Sequence, residues 1–141
     1  MTSSTLRPLW ILFLGLTLGG CSQAPSGAVP TFPVKGQVTY RGVPAAGAFV
    51  TLHPKVAAPD VPTPRASVAR DGSLELTTFN GGDGAPEGEY VVTVQWYKPV
   101  RQAGDLVAGP NVIPAKYASP KTSPLVIKVA ANDNVLPPIQ L

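Results

Sequence analysis

The sequence has very little cysteine and histidine, with one of each in 141 residues. A single cysteine excludes an intramolecular disulfide, and the two residues together cannot supply the ligands of a His/Cys metal site. A hydrolase would have to be built around His53, and no nucleophile at a recognisable spacing accompanies that histidine. We therefore expect no catalytic residue, no metal and no cofactor.

Charge is also scarce, because only 13% of the residues are charged and the formal net charge is +3. The basic residues of the main part of the chain are scattered from Lys35 to Lys128 and form no run or stripe. A protein that binds nucleic acid concentrates lysine and arginine on one face. The sequence therefore predicts no nucleic-acid partner, despite the slight excess of positive charge.

Long hydrophobic runs are missing except at the N-terminus, where residues 9–18 are almost entirely apolar. Pro8 and Gly19 bound this run, which leaves it far short of the roughly 20 apolar residues that a membrane-spanning helix requires. Arg7 precedes it and small residues follow it. A basic start, a short apolar middle and a small-residue exit are typical of an export signal.

The end of this segment, Leu18-Gly19-Gly20-Cys21, contains the sole cysteine. It resembles the lipobox of bacterial lipoproteins, in which a dedicated peptidase cuts before an acylated cysteine. The resemblance implies cleavage between Gly20 and Cys21, and a diacylglyceryl thioether on Cys21, often with an amide-linked fatty acid. Two or three acyl chains hold a protein stably on a membrane, whereas one chain holds it only marginally.

Two other interpretations of the N-terminus remain open. An uncleaved anchor conflicts with the short apolar run. Ordinary signal cleavage is suggested by Ala24 and other small residues, but cleavage before Cys21 would leave an exported protein with an unpaired thiol. Lipidation removes that thiol. Ser22, rather than aspartate, follows the cysteine. By resemblance to lipoprotein sorting, this favours the outer membrane, with a periplasmic or surface-facing domain in the cell envelope.

The composition, together with the lipobox resemblance, predicts three parts: a lipoprotein signal peptide (1–20), a lipidated cysteine with a flexible tether (21–32) and one β-sandwich domain (33–141). The tether has no charged residue and is rich in Ser, Gly, Pro and Ala. About ten such residues span roughly 17 Å on average, so the domain is expected to stay close to the bilayer. The remaining length suits a single domain.

Alternating apolar and polar residues predict short strands, and no segment has the periodicity of an α-helix. The predicted strands are residues 34–40, 48–53, 66–69, 74–79, 90–96, 125–130 and 135–141. The Asp71-Gly72 pair predicts a tight hairpin, and Val92, Val94 and Trp96 are expected in the core. Six to seven short strands separated by Gly/Pro turns indicate an all-β fold, an antiparallel Ig-like or transthyretin-like β-sandwich.

Several turn motifs support this fold. Residues 34–50, which include Arg41-Gly42-Val43-Pro44, resemble the opening of a carboxypeptidase-regulatory-like, transthyretin-like domain. Asp71-Gly72-Ser73-Leu74 and residues 84–94 are similar to its later hairpin and strand start. Pro114-Ala115-Lys116-Tyr117, with Ser123-Pro124-Leu125, resembles small envelope lipoproteins that carry such a domain. The resemblance implies a sandwich that is a non-catalytic accessory, and it implies no particular activity.

Acidic residues in the turns raise the possibility of a calcium site, formed by Asp71, Asp83, Glu87 and Glu89. The loop around Asp83 lacks the regular ligand spacing of a calcium loop, so solvated turn residues are the favoured interpretation. Residues 85–90 also resemble adhesin repeats in which a lysine and an asparagine form an isopeptide bond. Lys35 and Asn132 or Asn134 are the candidates here, but the acidic proton relay of that family is missing.

The sequence thus predicts a membrane-anchored envelope lipoprotein whose β-sandwich has a structural or protein-interaction role. The alternative is a module that binds glycans or another small ligand of the envelope, through exposed aromatic residues around Tyr97 or Tyr117. A hydrolase centred on His53 is a third hypothesis. The expected partners are the membrane, through the lipid anchor, and an envelope protein or a glycan.

Overall fold

The computed structural model describes residues 29–141, so Gly20, Cys21, the predicted signal peptide and most of the tether lie outside the described residues. Strands account for nearly all the regular structure, and residues 29–141 contain no α-helix. The strands are β1 (Thr31–Phe32), β2 (Val34–Tyr40), β3 (Val43–Pro44), β4 (Phe49–Pro54), β5 (Arg65–Ser67), β6 (Ser73–Glu75), β7 (Ala85–Pro86), β8 (Gly88–Gln95), β9 (Tyr97–Gln102), β10 (Asp105–Asn111), β11 (Val126–Val129), β12 (Asn134–Val135) and β13 (Ile139–Gln140). One 3-10 helix, η1, covers Ala115–Ala118.

The first main sheet is antiparallel, with the strand order β11-β8-β4-β5. Its central strand β8 is rich in β-branched residues, which fit the crowded surface of a sheet. Val92 and Val94 of β8 are fully buried, and Trp96, which follows the strand, is 8% exposed. The indole nitrogen of Trp96 donates a hydrogen bond to the Ala46 carbonyl at 2.9 Å. The three residues expected in the core are therefore confirmed there.

The second main sheet is assembled around β2. Strands β3 and β6 pair with β2 antiparallel, whereas β12 and β13 pair with it parallel. The last two strands run parallel because the chain reaches β2 by crossing over from β11 in the other sheet rather than by a hairpin from β2. Pro137 and Pro138, which lack an N–H group, separate β12 from β13.

The core lies between these two sheets. Val34 and Val38 from β2 face Val50 and Leu52 from β4, and all four side chains are no more than 2% exposed. They belong to one continuous apolar cluster that also contains residues of β6, β8 and β11. The predicted all-β sandwich is confirmed. It has more strand segments than expected, because proline and glycine divide several edges into pieces of two or three residues.

The turn at Asp71 and Gly72 forms as predicted, but its two arms belong to different sheets. The N–H of Ala69 bonds to the Ser73 carbonyl at 2.8 Å, and Arg65 and Thr77 form an isolated bridge further from the turn. Between these points β5 pairs with β4, and β6 pairs with β2. The predicted tight hairpin is therefore confirmed at its turn, and between the turn and the Arg65–Thr77 bridge its arms splay so that each completes the edge of a main sheet.

Two short pairings attach the N-terminal part of the domain to the sandwich. Thr31 pairs with Pro86, and Phe32 pairs with Ala85, as β1 and β7 form a two-stranded sheet. The next residue before β7, Gly84, has a φ of +85° and passes so close to Phe32 that an added Cβ would lie 1.7 Å from the Phe32 carbonyl oxygen. We call the pairing of β1 with β7 the clasp. It fixes the point at which the tether leaves the domain.

A ribbon formed by β9 and β10 was not expected from the sequence. Every residue of β9 is exposed, and β10 is the strand with which it pairs. The two strands are joined at Ala103 and Gly104, whose φ angles of 51° and 95° are those of a tight hairpin turn. The ribbon begins at the end of β8 opposite to the end that lies near β1 and β7.

Candidate functional site

The predicted lipidation site Cys21 and the predicted cleavage site after Gly20 lie outside the described residues. The structure instead describes the place where the tether joins the sandwich. An apolar pocket of about 360 Å³ opens there, and Val29 lies in its wall. Further lining residues include Pro54, Val56, Val61, Pro62 and Tyr90. We call this end of the domain the tether end.

One side of the pocket is the loop that follows β4, residues 55–63. Pro54 ends β4, and the N–H of Lys55 bonds to the Glu89 carbonyl at 2.9 Å. A turn follows, in which the N–H of Val61 bonds to the Ala58 carbonyl at 3.1 Å. Alanine, valine and proline dominate this segment, so the loop presents apolar side chains to the pocket and to solvent.

Three polar side chains at the pocket, those of Lys55, Glu89 and Tyr90, have partners within the protein. Lys55 Nζ lies 3.2 Å from Glu89 Oε2, which forms an ion pair at the pocket edge. The Tyr90 hydroxyl donates to the Pro86 carbonyl at 2.8 Å, and burial raises the pKa of that phenol. A tyrosine held in this way is an anchor for the pocket floor rather than a free acid or base. The pocket is therefore suited to apolar ligands.

His53, the sole histidine, lies on the outward face of β4. Its Nε2 is 3.0 Å from the hydroxyl oxygen of Thr93, which is buried on the neighbouring strand. The Thr93 hydroxyl also lies 3.5 Å from the Thr51 carbonyl. Burial lowers the pKa of His53, because desolvation disfavours the charged imidazolium. The structure brings His53 to a buried threonine and not to the serine or carboxylate that the hydrolase hypothesis requires.

The acidic residues considered for calcium are used by their own turns. The carboxylate of Asp83 accepts hydrogen bonds from the N–H groups of Thr78, Phe79 and Asn80 at 2.7 to 3.0 Å. Partial burial alone would raise the pKa of Asp83, but these N–H groups outweigh it and the pKa is lowered. Asp71 similarly accepts from the N–H and hydroxyl of Ser73, which lowers its pKa.

The contacts of Asp71 and Asp83 agree with their interpretation as turn residues, whereas Glu89 lies in β8. Glu89 is paired with Lys55. Over residues 29–141, the structure brings together no group of three or more histidine, cysteine, aspartate or glutamate side chains that could hold a metal ion.

The residues considered for an isopeptide bond have other partners. Lys35 Nζ lies 2.9 Å from Glu75 Oε1, and the hydrogen bond and charge of Glu75 raise the pKa of Lys35. The side-chain oxygen of Asn134 accepts from the N–H of Ala130 at 2.9 Å, and its Nδ2 donates to the Asn132 carbonyl at 2.6 Å. Lys35 is therefore an exposed ion-pairing residue, and Asn134 caps its own turn.

Aromatic and cationic side chains gather at the end of the sandwich opposite the tether end. The rings of Tyr40 and Trp96 meet edge to face, with 6.3 Å between their centroids. Lys98 Nζ lies 4.3 Å from the Trp96 ring centroid, and the Arg41 guanidinium lies 5.2 Å from that of Tyr40. This cluster was not expected from the sequence. It joins two local pairs, Tyr40 with Arg41 and Trp96 with Lys98, which are far apart along the chain and meet only where β2 packs beside the end of β8.

The ribbon carries the largest set of exposed apolar side chains at this second end. Tyr97, Val100 and Leu106 are 41%, 42% and 67% exposed. Lys98 and Arg101 lie on the same strand as Tyr97. Tyr97, one of the two tyrosines predicted for a glycan platform, is therefore accessible, whereas Tyr117 in η1 is half-buried, with Lys116 Nζ 4.8 Å from its ring centroid.

Within the part of the chain that the structure describes, no helix has the length and hydropathy needed to cross a membrane.

Comparison with known proteins gives no family assignment. No protein-family model matches the chain, and neither does any curated protein. One similar solved structure is a 9R-lipoxygenase from Cyanothece, at 11% identity and a TM-score of 0.42, with 84% of this chain and 18% of that chain covered. Another is a candidate carbohydrate-binding protein from Pseudomonas aeruginosa, at 12% identity and a TM-score of 0.43, with 80% and 90% covered. Similarities this distant carry no argument about function.

Proposed function

We propose that this chain is a lipid-anchored protein of the cell envelope whose β-sandwich is a non-catalytic interaction module. The anchor is proposed at Cys21, after cleavage behind Gly20, because Leu18-Gly19-Gly20-Cys21 follows a short apolar run and contains the sole cysteine. Its favoured location is the outer membrane, with the sandwich in the periplasm or at the surface. The division into signal (1–20), tether (21–32) and domain (33–141) is part of the same proposal, although the last two residues of the predicted tether pair with the sandwich as β1.

The observation that carries the interaction role is the ribbon. It presents Tyr97, Val100 and Leu106 to solvent, although apolar side chains of this size are usually placed in the core. Within residues 29–141, β9 and β10 form a two-stranded sheet of their own, so the outer edge of each strand is open to pairing with an added strand. Exposed apolar side chains beside open strand edges favour a protein partner that binds by adding a strand.

The anchor is tested by replacing Cys21 with serine in cells labelled with a radioactive fatty acid. We expect the wild-type protein to incorporate label and to sediment with membranes, and Cys21→Ser to lose the label. Ser22→Ala is the matched control, because it changes the adjacent residue and keeps the sulfur. Label on Cys21→Ser, or none on the wild-type protein, would contradict the lipid anchor.

The interaction role is tested by placing a photo-crosslinking amino acid at Leu106 in the ribbon. Val135, which is 83% exposed on the sandwich, serves as the control position. We expect discrete crosslinked species from position 106, and their loss when excess soluble domain competes. Identical patterns from positions 106 and 135, or no product from position 106, would contradict a partner at the ribbon.

Glycan binding is the second candidate function. The observation that favours it is the exposed Tyr97 ring on the ribbon, because an accessible aromatic face can stack on a sugar ring. Titration with soluble peptidoglycan fragments, measured by calorimetry, tests it. Binding to the wild-type protein that Tyr97→Ala weakens at least tenfold would favour this candidate, and equal binding by both proteins would exclude the platform.

A further inference from the structure

We infer that the loop of residues 55–63, together with the apolar pocket beside it, docks on the bilayer that carries the lipid anchor. The inference rests on the proposed anchor at Cys21, and it adds an orientation: the tether end faces the membrane, and the ribbon faces away from it. In this arrangement the loop and the mouth of the pocket contact the bilayer surface, not a soluble ligand.

Only a short length of chain separates the proposed anchor from the pocket. Val29 lines the pocket and follows Cys21 by eight residues. A random coil of eight residues, as the composition of the tether predicts, would span about 16 Å on average and at most about 28 Å when extended. An anchored Cys21 therefore keeps the pocket within about 28 Å of the bilayer, so that the pocket can reach the bilayer surface.

The chemistry of the loop also supports the docking. Val56 is 83% exposed, and Ala57, Ala58 and Pro62 are also exposed around the pocket mouth. In water the apolar surface of these side chains is hydrated, which is unfavourable. Inserted to the depth at which interfacial segments bind, about 5–10 Å into the boundary between headgroups and acyl chains, they lose that hydration.

The charge at the tether end bears on the docking as well. Lys55 and Glu89 neutralise each other in an ion pair, and Asp60 is the one other charged residue of the loop. Glu87, at the pocket edge, is exposed. A surface without a basic patch does not depend on anionic lipids for binding, so apolar insertion has to supply the affinity. The docking should therefore persist at high salt and on zwitterionic lipid.

The direction of β8 sets where the ribbon lies. This strand starts at the pocket with Gly88 and ends at Gln95, just before the ribbon. At about 3.3 Å per residue, its length places the base of the ribbon about 25 Å from the pocket. Docking at the tether end therefore holds the ribbon away from the lipid, where a partner of the proposed interaction module can reach it.

The test uses the full-length, membrane-extracted protein reconstituted in phosphatidylcholine vesicles. If the sulfur of Cys21 is a thioether, a cysteine introduced by Val56→Cys is the sole free thiol and can carry an environment-sensitive dye. Val43→Cys is the matched control, because Val43 is also exposed, at 59%, but lies at the other end of the sandwich. Dye-treated wild-type protein measures any unlipidated Cys21.

We expect the dye at position 56 to shift to shorter wavelength and to lose at least half of its emission to brominated lipids, at low and high salt alike. The dye at position 43 should do neither. Equal quenching at both positions, or none at position 56, overturns the docking. A blue shift without quenching overturns it in favour of a protein or a second copy in the pocket.

Failure of the anchor gives a different result from failure of the docking. If wild-type protein takes up dye at Cys21 and does not float with vesicles, the anchor itself is wrong. If the wild-type protein floats with vesicles and takes up no dye, but the dye at position 56 is not quenched, the lipid anchor is supported and only the docking is wrong. Val56→Asp, which should float like wild type but abolish quenching from a dye at Ala58→Cys, confirms that the apolar side chain is responsible.

Discussion

Strands β8 and β9 follow each other in the chain, separated only by Trp96, yet their surroundings are opposite. β8 lies between β4 and β11, and its Val92 and Val94 have no solvent exposure. β9 pairs with β10 alone, and all of its residues are exposed. Both strands have an extended backbone, but only β8 is buried.

The difference shows where the stability of this domain originates. A two-stranded ribbon is at best marginally stable in water, because it buries little apolar surface for the entropy that it loses. The sandwich around β8 encloses a continuous apolar cluster between two sheets. The ribbon therefore depends on the sandwich for its position, whereas the sandwich should fold whether or not the ribbon is formed.

The largest expected effect comes from removing a core leucine. Leu52 is fully buried in β4 and faces the same interior as Val92, whereas Leu106 is 67% exposed in the ribbon. Leu52→Ala should lower the free energy of unfolding by about 3 kcal/mol, because it removes buried surface and leaves a cavity. Leu106→Ala should change it by less than about 0.5 kcal/mol. Urea unfolding followed by tryptophan fluorescence measures both values.

Similar losses of unfolding free energy in Leu52→Ala and Leu106→Ala would contradict the difference proposed between the sandwich and the ribbon. They would mean that the ribbon is packed in solution against the domain or a second copy. Repeating the measurement over a range of protein concentrations separates these explanations, since stabilisation by association grows with concentration.

A smaller difference is expected between two glycines that share a backbone conformation. Gly84, in the clasp, and Gly104, in the ribbon turn, have φ angles of +85° and +95°. A Cβ at Gly84 would lie 1.7 Å from the Phe32 carbonyl oxygen, whereas nothing lies within 4 Å of one at Gly104. Gly104→Ala should cost about 1 kcal/mol from the positive φ alone, and Gly84→Ala about 2–4 kcal/mol because overpacking adds to it.

Thermal unfolding of both glycine variants gives the two values under one condition. The difference between them isolates the close approach of β1 to β7, since the conformational strain is common to both. Equal losses would show that residues 31–32 are not held against the sandwich in solution, and would weaken the placement of the pocket beside the tether.

Sequence periodicity predicted the buried strands well. β2 occupies the predicted residues 34–40, and β8 covers most of 90–96, because alternation along a strand with one face in the core is a direct consequence of burial. The ribbon was not predicted, because the prediction of strands relied on this alternation. It has no buried face, so Pro99, Gly109 and the charged residues of its strands create no alternation to detect.

The lipidation site and the pocket also differ in how well the sequence predicts them. The lipobox is contiguous, so Cys21 can be predicted from sequence. The pocket is built from Val29, the loop at 55–63 and the start of β8, which are far apart along the chain. Their association depends on the pairing of β1 with β7 and of β4 with β8, and pairings at long range leave no local signal.

The smallest expected effect is a pH dependence that belongs to the sandwich, since the sole histidine is on β4. Burial lowers the pKa of His53, so between that value and the ordinary one near 6.5 the unfolded chain binds the extra proton. The contribution to stability is therefore present above about pH 6.5 and is lost as the pH falls through the lowered pKa. His53→Gln should remove this slope, because glutamine does not titrate. Urea midpoints from pH 7.5 to 5, with the imidazole pKa followed by NMR, measure it. A pKa at or above the ordinary value would mean that the ring is solvated in solution, and that this outward face of β4 is as open as the ribbon.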